Sequence, residues 1–171
     1  MAADLQEIQV YFTAEPDKSE LVGILASQGQ RFFFEYSPSW LQRNLELSPF
    51  ILPAKPGLME HKQREFGPLF GLFDDSLPDG WGLLLMDRHF RSLGLNPPAI
   101  SPLERLLYLG RYTMGALTYH PATERDILEN TVPDLHELAV QSQQIFAGDE
   151  GEVLPLLLRA GGSPGGARPK V

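Results

Sequence analysis

Leu21-Val22-Gly23-Ile24-Leu25-Ala26-Ser27-Gln28-Gly29-Gln30-Arg31-Phe32-Phe33-Phe34-Glu35-Tyr36 places two apolar runs on either side of a glycine-containing turn. The runs Leu21 to Ala26 and Arg31 to Tyr36 are rich in β-branched and aromatic residues, so they predict a β-hairpin across Ser27-Gln28-Gly29-Gln30. Upstream, Ile8-Gln9-Val10-Tyr11-Phe12 has the same character and predicts a further strand. Downstream, Pro38-Ser39-Trp40-Leu41-Gln42-Arg43 reads as a short helical turn, and the proline-rich stretch from Ser48 to Gly57 as extended or irregular chain.

From Phe70 the pattern becomes helical. Asp74-Asp75-Ser76 offer N-caps, Pro78 and Asp79 fall in the first turn, and Gly94 supplies a stop. Leu77, Trp81, Leu83, Leu84, Leu85, Met86 and Phe90 cover most of the circumference, which predicts burial on more than one side. Ser101-Pro102-Leu103-Glu104 is a capping box, and the helix it opens should end at Gly110. Thr113 to Tyr119 predicts a closing strand ended by Pro121, with Gly115 allowing a close backbone approach. Asp134 to Ala147 is amphipathic, and a second short helix from Glu152 to Arg159 leads into a glycine-rich segment.

The 171 residues suffice for one domain with a core, with or without an appendage, and 43% of them are hydrophobic. A net charge of −8 and a pI near 4.9 argue against a direct grip on nucleic acid, whose phosphates require basic surfaces. The absence of cysteine excludes disulfides, thiolate metal sites and a cysteine nucleophile. The first residues lack the pattern of a signal peptide, and the longest apolar runs are too short to span a bilayer, so a cytoplasmic protein without membrane contact is expected.

Asp74 and Asp75 are adjacent carboxylates, but at a helix start they read as caps before they read as an acid–base pair. His61, His89, His120 and His136 show no ligand spacing. No G-x-S-x-G turn supports a serine hydrolase, and Trp40 and Trp81 read as core anchors. Gly161-Gly162-Ser163-Pro164-Gly165-Gly166-Ala167-Arg168-Pro169-Lys170 has the residues to wrap a phosphate. Its glycines let successive N–H groups converge, and Arg168 and Lys170 neutralise an anion. It lacks both common phosphate signatures, and Gly, Ser and Pro also compose flexible tails.

Four motifs in order resemble the HipA-type serine/threonine kinases, the toxins of type II toxin–antitoxin modules. Phe34 to Leu41 resembles their early strand and turn, and Phe73-Asp74-Asp75-Ser76-Leu77-Pro78-Asp79-Gly80 their F-D-x-x-L-P-[ED]-G segment. Leu109-Gly110-Arg111 with Met114-Gly115-Ala116-Leu117 is similar to their G-R…G-A-L strand entry, and Ser163 to Lys170 to their S-x-[GA]-G-A-x-x-K loop. The resemblance implies an α+β fold. Residues 1–122 would form a twisted antiparallel sheet or small barrel with packed helices, and 123–171 a helical connection and Gly-rich loop beginning a kinase small lobe. It also implies that Ser163, Gly165, Gly166, Ala167, Arg168 and Lys170 bind nucleotide, and that Ser163 is the autophosphorylation site. A phosphate there would occupy the space of ATP's own.

The nucleotide lysine, the catalytic aspartate and the metal-binding Asp and Asn of such kinases lie beyond the loop, and no H-x-D or D-F-G run occurs earlier. The expected reading is therefore the N-terminal part of a HipA-like kinase toxin, truncated before its catalytic core and inactive alone, with no cofactor in this chain. The full-length family uses ATP and Mg. The implied partners are a HipB-like helix-turn-helix antitoxin and the remaining kinase domain, with self-association left open. Two alternatives stand beside it: a separate module that binds and restrains a HipA-like kinase, and an unrelated α+β binding domain with a mobile tail.

Overall fold

The computed structural model describes residues 5–15, 18–62 and 67–122. They divide between two compact units, one of residues up to 76 with 101–122 and one of residues 77–100. The proposed helices between Asp134 and Arg159 and the glycine-rich segment lie outside the described residues.

The larger unit is built on an open five-stranded antiparallel sheet in the order β4-β3-β2-β1-β5. Its strands are β1 (Leu5–Glu15), β2 (Lys18–Gln28), β3 (Arg31–Tyr36), β4 (Met59–Glu60) and β5 (Leu117–Pro121). The α+β class and antiparallel sheet expected from the sequence are present, and the sheet is open rather than a closed barrel. The hairpin is tighter than the sequence suggests: β2 runs to Gln28, which pairs with Arg31, and Gly29 makes the turn at a φ of 62°. Gly23 lies opposite both Val10 and Tyr36. The β1–β2 register then shifts, so that Tyr11 faces Leu21 and Val22 is the extra, wholly buried residue of a bulge.

One sheet face carries Ile8, Val10, Leu25, Phe32, Phe34, Tyr36 and Tyr119, all buried. Phe73 closes this core with ring centroids 4.9 Å from Phe34, 6.0 Å from Phe70 and 6.5 Å from Tyr119. Trp40, in α1 (Pro38–Leu41), is 1% exposed, as a core anchor should be. Ser37 caps this helix by accepting from the Trp40 N–H at 3.1 Å, and its hydroxyl donates to the Leu21 carbonyl at 2.7 Å. Helix α4 (Pro102–Leu109) has the expected capping box, with Ser101 Oγ accepting from the Glu104 N–H and the Ser101 N–H donating to Glu104 Oε2. It ends at Gly110, whose φ is 57°.

Three expectations change. The helix foreseen from Phe70 is two helices, α2 (Gly71–Asp74) and, in the second unit, α3 (Gly80–Ser92) with Asp79 as N-cap. Pro78 disfavours helical backbone at Leu77, and Asp74 and Ser76 are engaged elsewhere. The buried stripe of α3 is single: Trp81, Leu85, Met86 and Phe90 are buried, whereas Leu83 and Leu84 are each 38% exposed. Finally, β5 starts at Leu117, not Thr113, because Gly115 takes a φ of 89° in the preceding turn and has no close neighbour.

On β5, Thr118 Oγ1 lies 3.3 Å from His120 Nε2, and the ring of Tyr11 stands edge-on to the imidazole at 5.1 Å. Burial, reinforced by the positive charge of Arg111, lowers the His120 pKa below its ordinary value. The unfolded chain therefore takes up this proton first as the solution acidifies. Stability is expected to be complete above about pH 6.5 and to fall as the pH drops through that value toward the depressed folded pKa. Urea midpoints at pH 7.5 and 5.5 test this, and His120→Gln should flatten the difference. Asp74 acts in the opposite direction and at lower pH, since burial raises its pKa.

Candidate functional site

The nucleotide-binding candidates Ser163, Gly165, Gly166, Ala167, Arg168 and Lys170 lie outside the described residues. Within them, Phe73 to Ser76 is structural. Phe73 fills the core, and the Asp74 carboxylate accepts from the Leu69 backbone N–H. That carboxylate occupies the space a side chain at position 67 would need: a Cβ on Gly67 would lie 1.9 Å from Asp74 Oδ2. Ser76 Oγ accepts from the Tyr119 hydroxyl at 2.7 Å, deep in the core, and burial raises the Tyr119 pKa. Asp74 and Ser76 thus clamp the loop of residues 67–70 and strand β5 to one aromatic core. Asp74 is not an N-cap: Phe70 and Asp79 hold those positions. The turns Leu109-Gly110-Arg111 and Met114-Gly115-Ala116-Leu117 bring the chain from α4 back to β5, where the Tyr119 N–H donates to the Gly110 carbonyl.

A second feature has no counterpart in the sequence reading. The irregular segment between α1 and β4 is pinned at Leu52, which is wholly buried and accepts from the Tyr36 hydroxyl at 2.8 Å. Burial pushes the Tyr36 pKa up to about 12, so this donor stays protonated. The residues just before Leu52 face outward: Phe50 is 97% exposed and Ile51 41%. With Glu60, His61, Lys62 and Phe70 they line a cavity of about 200 Å³. His61 packs on Phe70 at 4.8 Å and is 7% exposed, and its Nε2 is buried without a hydrogen-bond partner among the described residues. Glu60 accepts from Arg31 Nε at 2.8 Å. The only sequence signal was an apolar triplet, Phe50-Ile51-Leu52, inside a stretch flanked by prolines.

Among the described residues, no group of His, Asp and Glu is placed to hold a metal ion, and no helix is long and apolar enough to cross a membrane. The family model of the HipA N-terminal domain matches residues 17–120. The chain belongs to the HipA N-terminal domain family. No curated protein and no solved structure matches it. The HipA N-terminal domain match takes in the hairpin, the Phe73 to Ser76 clamp and β5 almost to its end, which are the elements that build the aromatic core.

Proposed function

We propose that this HipA-like toxin–antitoxin protein is the N-terminal part of a serine/threonine kinase toxin that acts with a HipB-like helix-turn-helix antitoxin. The observation that carries this reading is the family match over residues 17–120. The order of motifs adds the Ser163 to Lys170 segment as the loop over the ATP phosphates, with Ser163 its autophosphorylation site. In the complete kinase, ATP and Mg would supply the phosphoryl group and the charge neutralisation for transfer to a protein serine, halting translation and growth. The domain boundary falls near residue 122, and the residues from 123 open the kinase small lobe.

The 171 residues contain no H-x-D or D-F-G run to orient a hydroxyl or hold Mg, so they are catalytically silent by themselves. Titration calorimetry with ATP and Mg is expected to show no binding tighter than millimolar, and mass spectrometry after incubation to find Ser163 unmodified. Micromolar ATP affinity, or phosphate on Ser163 without added kinase, refutes the proposal of silence. The acidic net charge suits a division of labour in which the antitoxin carries the DNA contacts.

The alternative is a separate module that binds and restrains a HipA-like kinase. Co-purification with a kinase core, together with loss of its activity, selects that reading; restored activity selects the first.

A further inference from the structure

We propose that the outer face of the sheet docks a basic amphipathic helix presented by a partner protein. Side chains alternate along a strand, so the residues between the buried Ile8, Val10, Leu25, Phe32, Phe34 and Tyr36 point to the opposite side. The helices of the larger unit attach on the buried side. Phe73 of α2 meets Phe34 and Tyr119, Trp40 of α1 meets Phe12 at 5.6 Å, and Ser101, the cap of α4, donates to Gln6 Oε1 at 3.0 Å. Among the described residues of that unit, no helix covers the other side. A sheet face left to water is normally polar, yet the middle of this one is not. Ala26 at its centre is 8% exposed, and Ile24 and Phe33 beside it are half-buried.

Two rows across the strands fix the chemistry of this face. One reads Glu7, Ala26, Phe33 and Glu60 from β1 to β4, and the next Gln9, Ile24 and Glu35 from β1 to β3. Glu60 is paired with Arg31 at 2.8 Å, and the same guanidinium lies over the Phe33 ring. Glu7 and Glu35 are exposed, and their carboxylates make no hydrogen bond or ion pair among the described residues. They stand on opposite flanks of Ile24 and Ala26, two strands and two residues apart, which is about 12 Å at ordinary strand spacing and rise. A helix with its side chains is about 10–12 Å across. An apolar stripe over Ile24, Ala26 and Phe33 therefore brings the residues on its two borders to Glu7 and Glu35, and lysine or arginine complements each. Both carboxylates repel anionic lipid and nucleic acid. A second copy, at a net charge of −8, is mismatched too, as is the chain's own amphipathic stretch Asp134 to Ala147, which carries Asp134 and Glu137 and no lysine or arginine.

The test uses the full 171-residue chain, labelled for NMR, and the peptide acetyl-KLAKLAKKLAKLAK-amide, whose helix has a leucine stripe bordered by lysines. Its controls are the same peptide with glutamate for every lysine, and one with proline at two central positions, which cannot form the helix. The basic peptide is expected to cause saturable, submillimolar shifts centred on Ile24, Ala26 and Phe33 that weaken as salt is raised, and neither control to do so. Glu7→Gln and Glu35→Gln should each weaken binding about two- to fivefold, the worth of an exposed ion pair, and the double variant further. Ile24→Thr keeps a branched strand residue but removes apolar contact, and should weaken binding several-fold while the same spectra show the fold retained. Equal shifts with the glutamate or proline peptide, shifts centred elsewhere, no saturable shift, or full affinity in the double variant overturns the proposal. So do shifts at Ile24 and Phe33 on concentrating the chain alone, which would give the face to a second copy.

Discussion

Phe73→Ala is expected to lower the unfolding free energy by about 3–5 kcal/mol, the range for deleting a fully buried aromatic side chain. Phe73 has no exposed surface and stands at the meeting point of three sources of core. It tilts against Phe34 of the sheet at 51°, and meets Phe70 of the preceding loop and Tyr119 of β5 edge-on at 86° and 84°. Edge-to-face pairs add to the transfer term of the lost ring. Relaxation into the void is also limited, because the neighbours on both sides in sequence are tied: Asp74 to the Leu69 N–H and Ser76 to the Tyr119 hydroxyl. A loss of this size is a large share of the 5–15 kcal/mol by which domains exceed their unfolded states. Urea denaturation of Phe73→Ala beside Phe50→Ala gives an internal comparison, since the exposed Phe50 should change stability by no more than about 0.5 kcal/mol. If both variants unfold within about 1 kcal/mol of the parent, the aromatic cluster is not the centre of the fold.

The hairpin of β2 and β3 was legible because its information is local: apolar runs of strand length, aromatic enrichment and a glycine at the reversal. The capping box at Ser101 was legible for the same reason, the four residues from Ser101 to Glu104 sufficing to satisfy the first helical N–H groups. The arm of β1 and β2 beyond Phe12 was not, because Thr13 to Glu20 is polar and contains Pro16. Its strand character comes from pairing, with Phe12 opposite Glu20 and Glu15 opposite Lys18. Asp74 and Ser76 misled for a related reason. Both are good N-cap residues, and a sequence does not say that their oxygens are already taken by a loop N–H and a tyrosine hydroxyl distant in the chain. The cavity is harder still, since Phe50, His61 and Phe70 are brought together only by the packing of an irregular segment, and the unpartnered His61 Nε2 is a property of the folded interior alone.

Gly23→Ala should be nearly as damaging as the loss of Phe73, through overpacking rather than a void, with about 3 kcal/mol at stake. A methyl group at position 23 would lie 2.1 Å from the Glu35 carbonyl oxygen, 3.0 Å from its carbon and 2.7 Å from Phe34 Cζ. The first two are backbone atoms of β3, so no rotamer change relieves them. Either β3 moves off β2 or the pairing slips, and a slip of one residue would turn Phe32, Phe34 and Tyr36 out of the core. Separation also reaches the bulge, where the Ser37 N–H donates to the Val22 carbonyl at 2.8 Å and the Ser37 hydroxyl to the Leu21 carbonyl. Those bonds hold the cap of α1, so the strain passes to Trp40, whose indole N–H donates to the Leu45 carbonyl at 3.1 Å. Trp40 fluorescence, isolated from that of Trp81 by a Trp81→Phe background and followed through a urea titration, reads this. Gly23→Ala should shift the midpoint to lower urea, and Gly23→Val should prevent folding. Ala26→Gly, three residues along β2 from this contact, should cost only about 1 kcal/mol, as expected for the loss of one methyl group and added backbone freedom. A Gly23→Ala midpoint as high as that of Ala26→Gly would mean that β2 and β3 do not approach as closely as this packing requires.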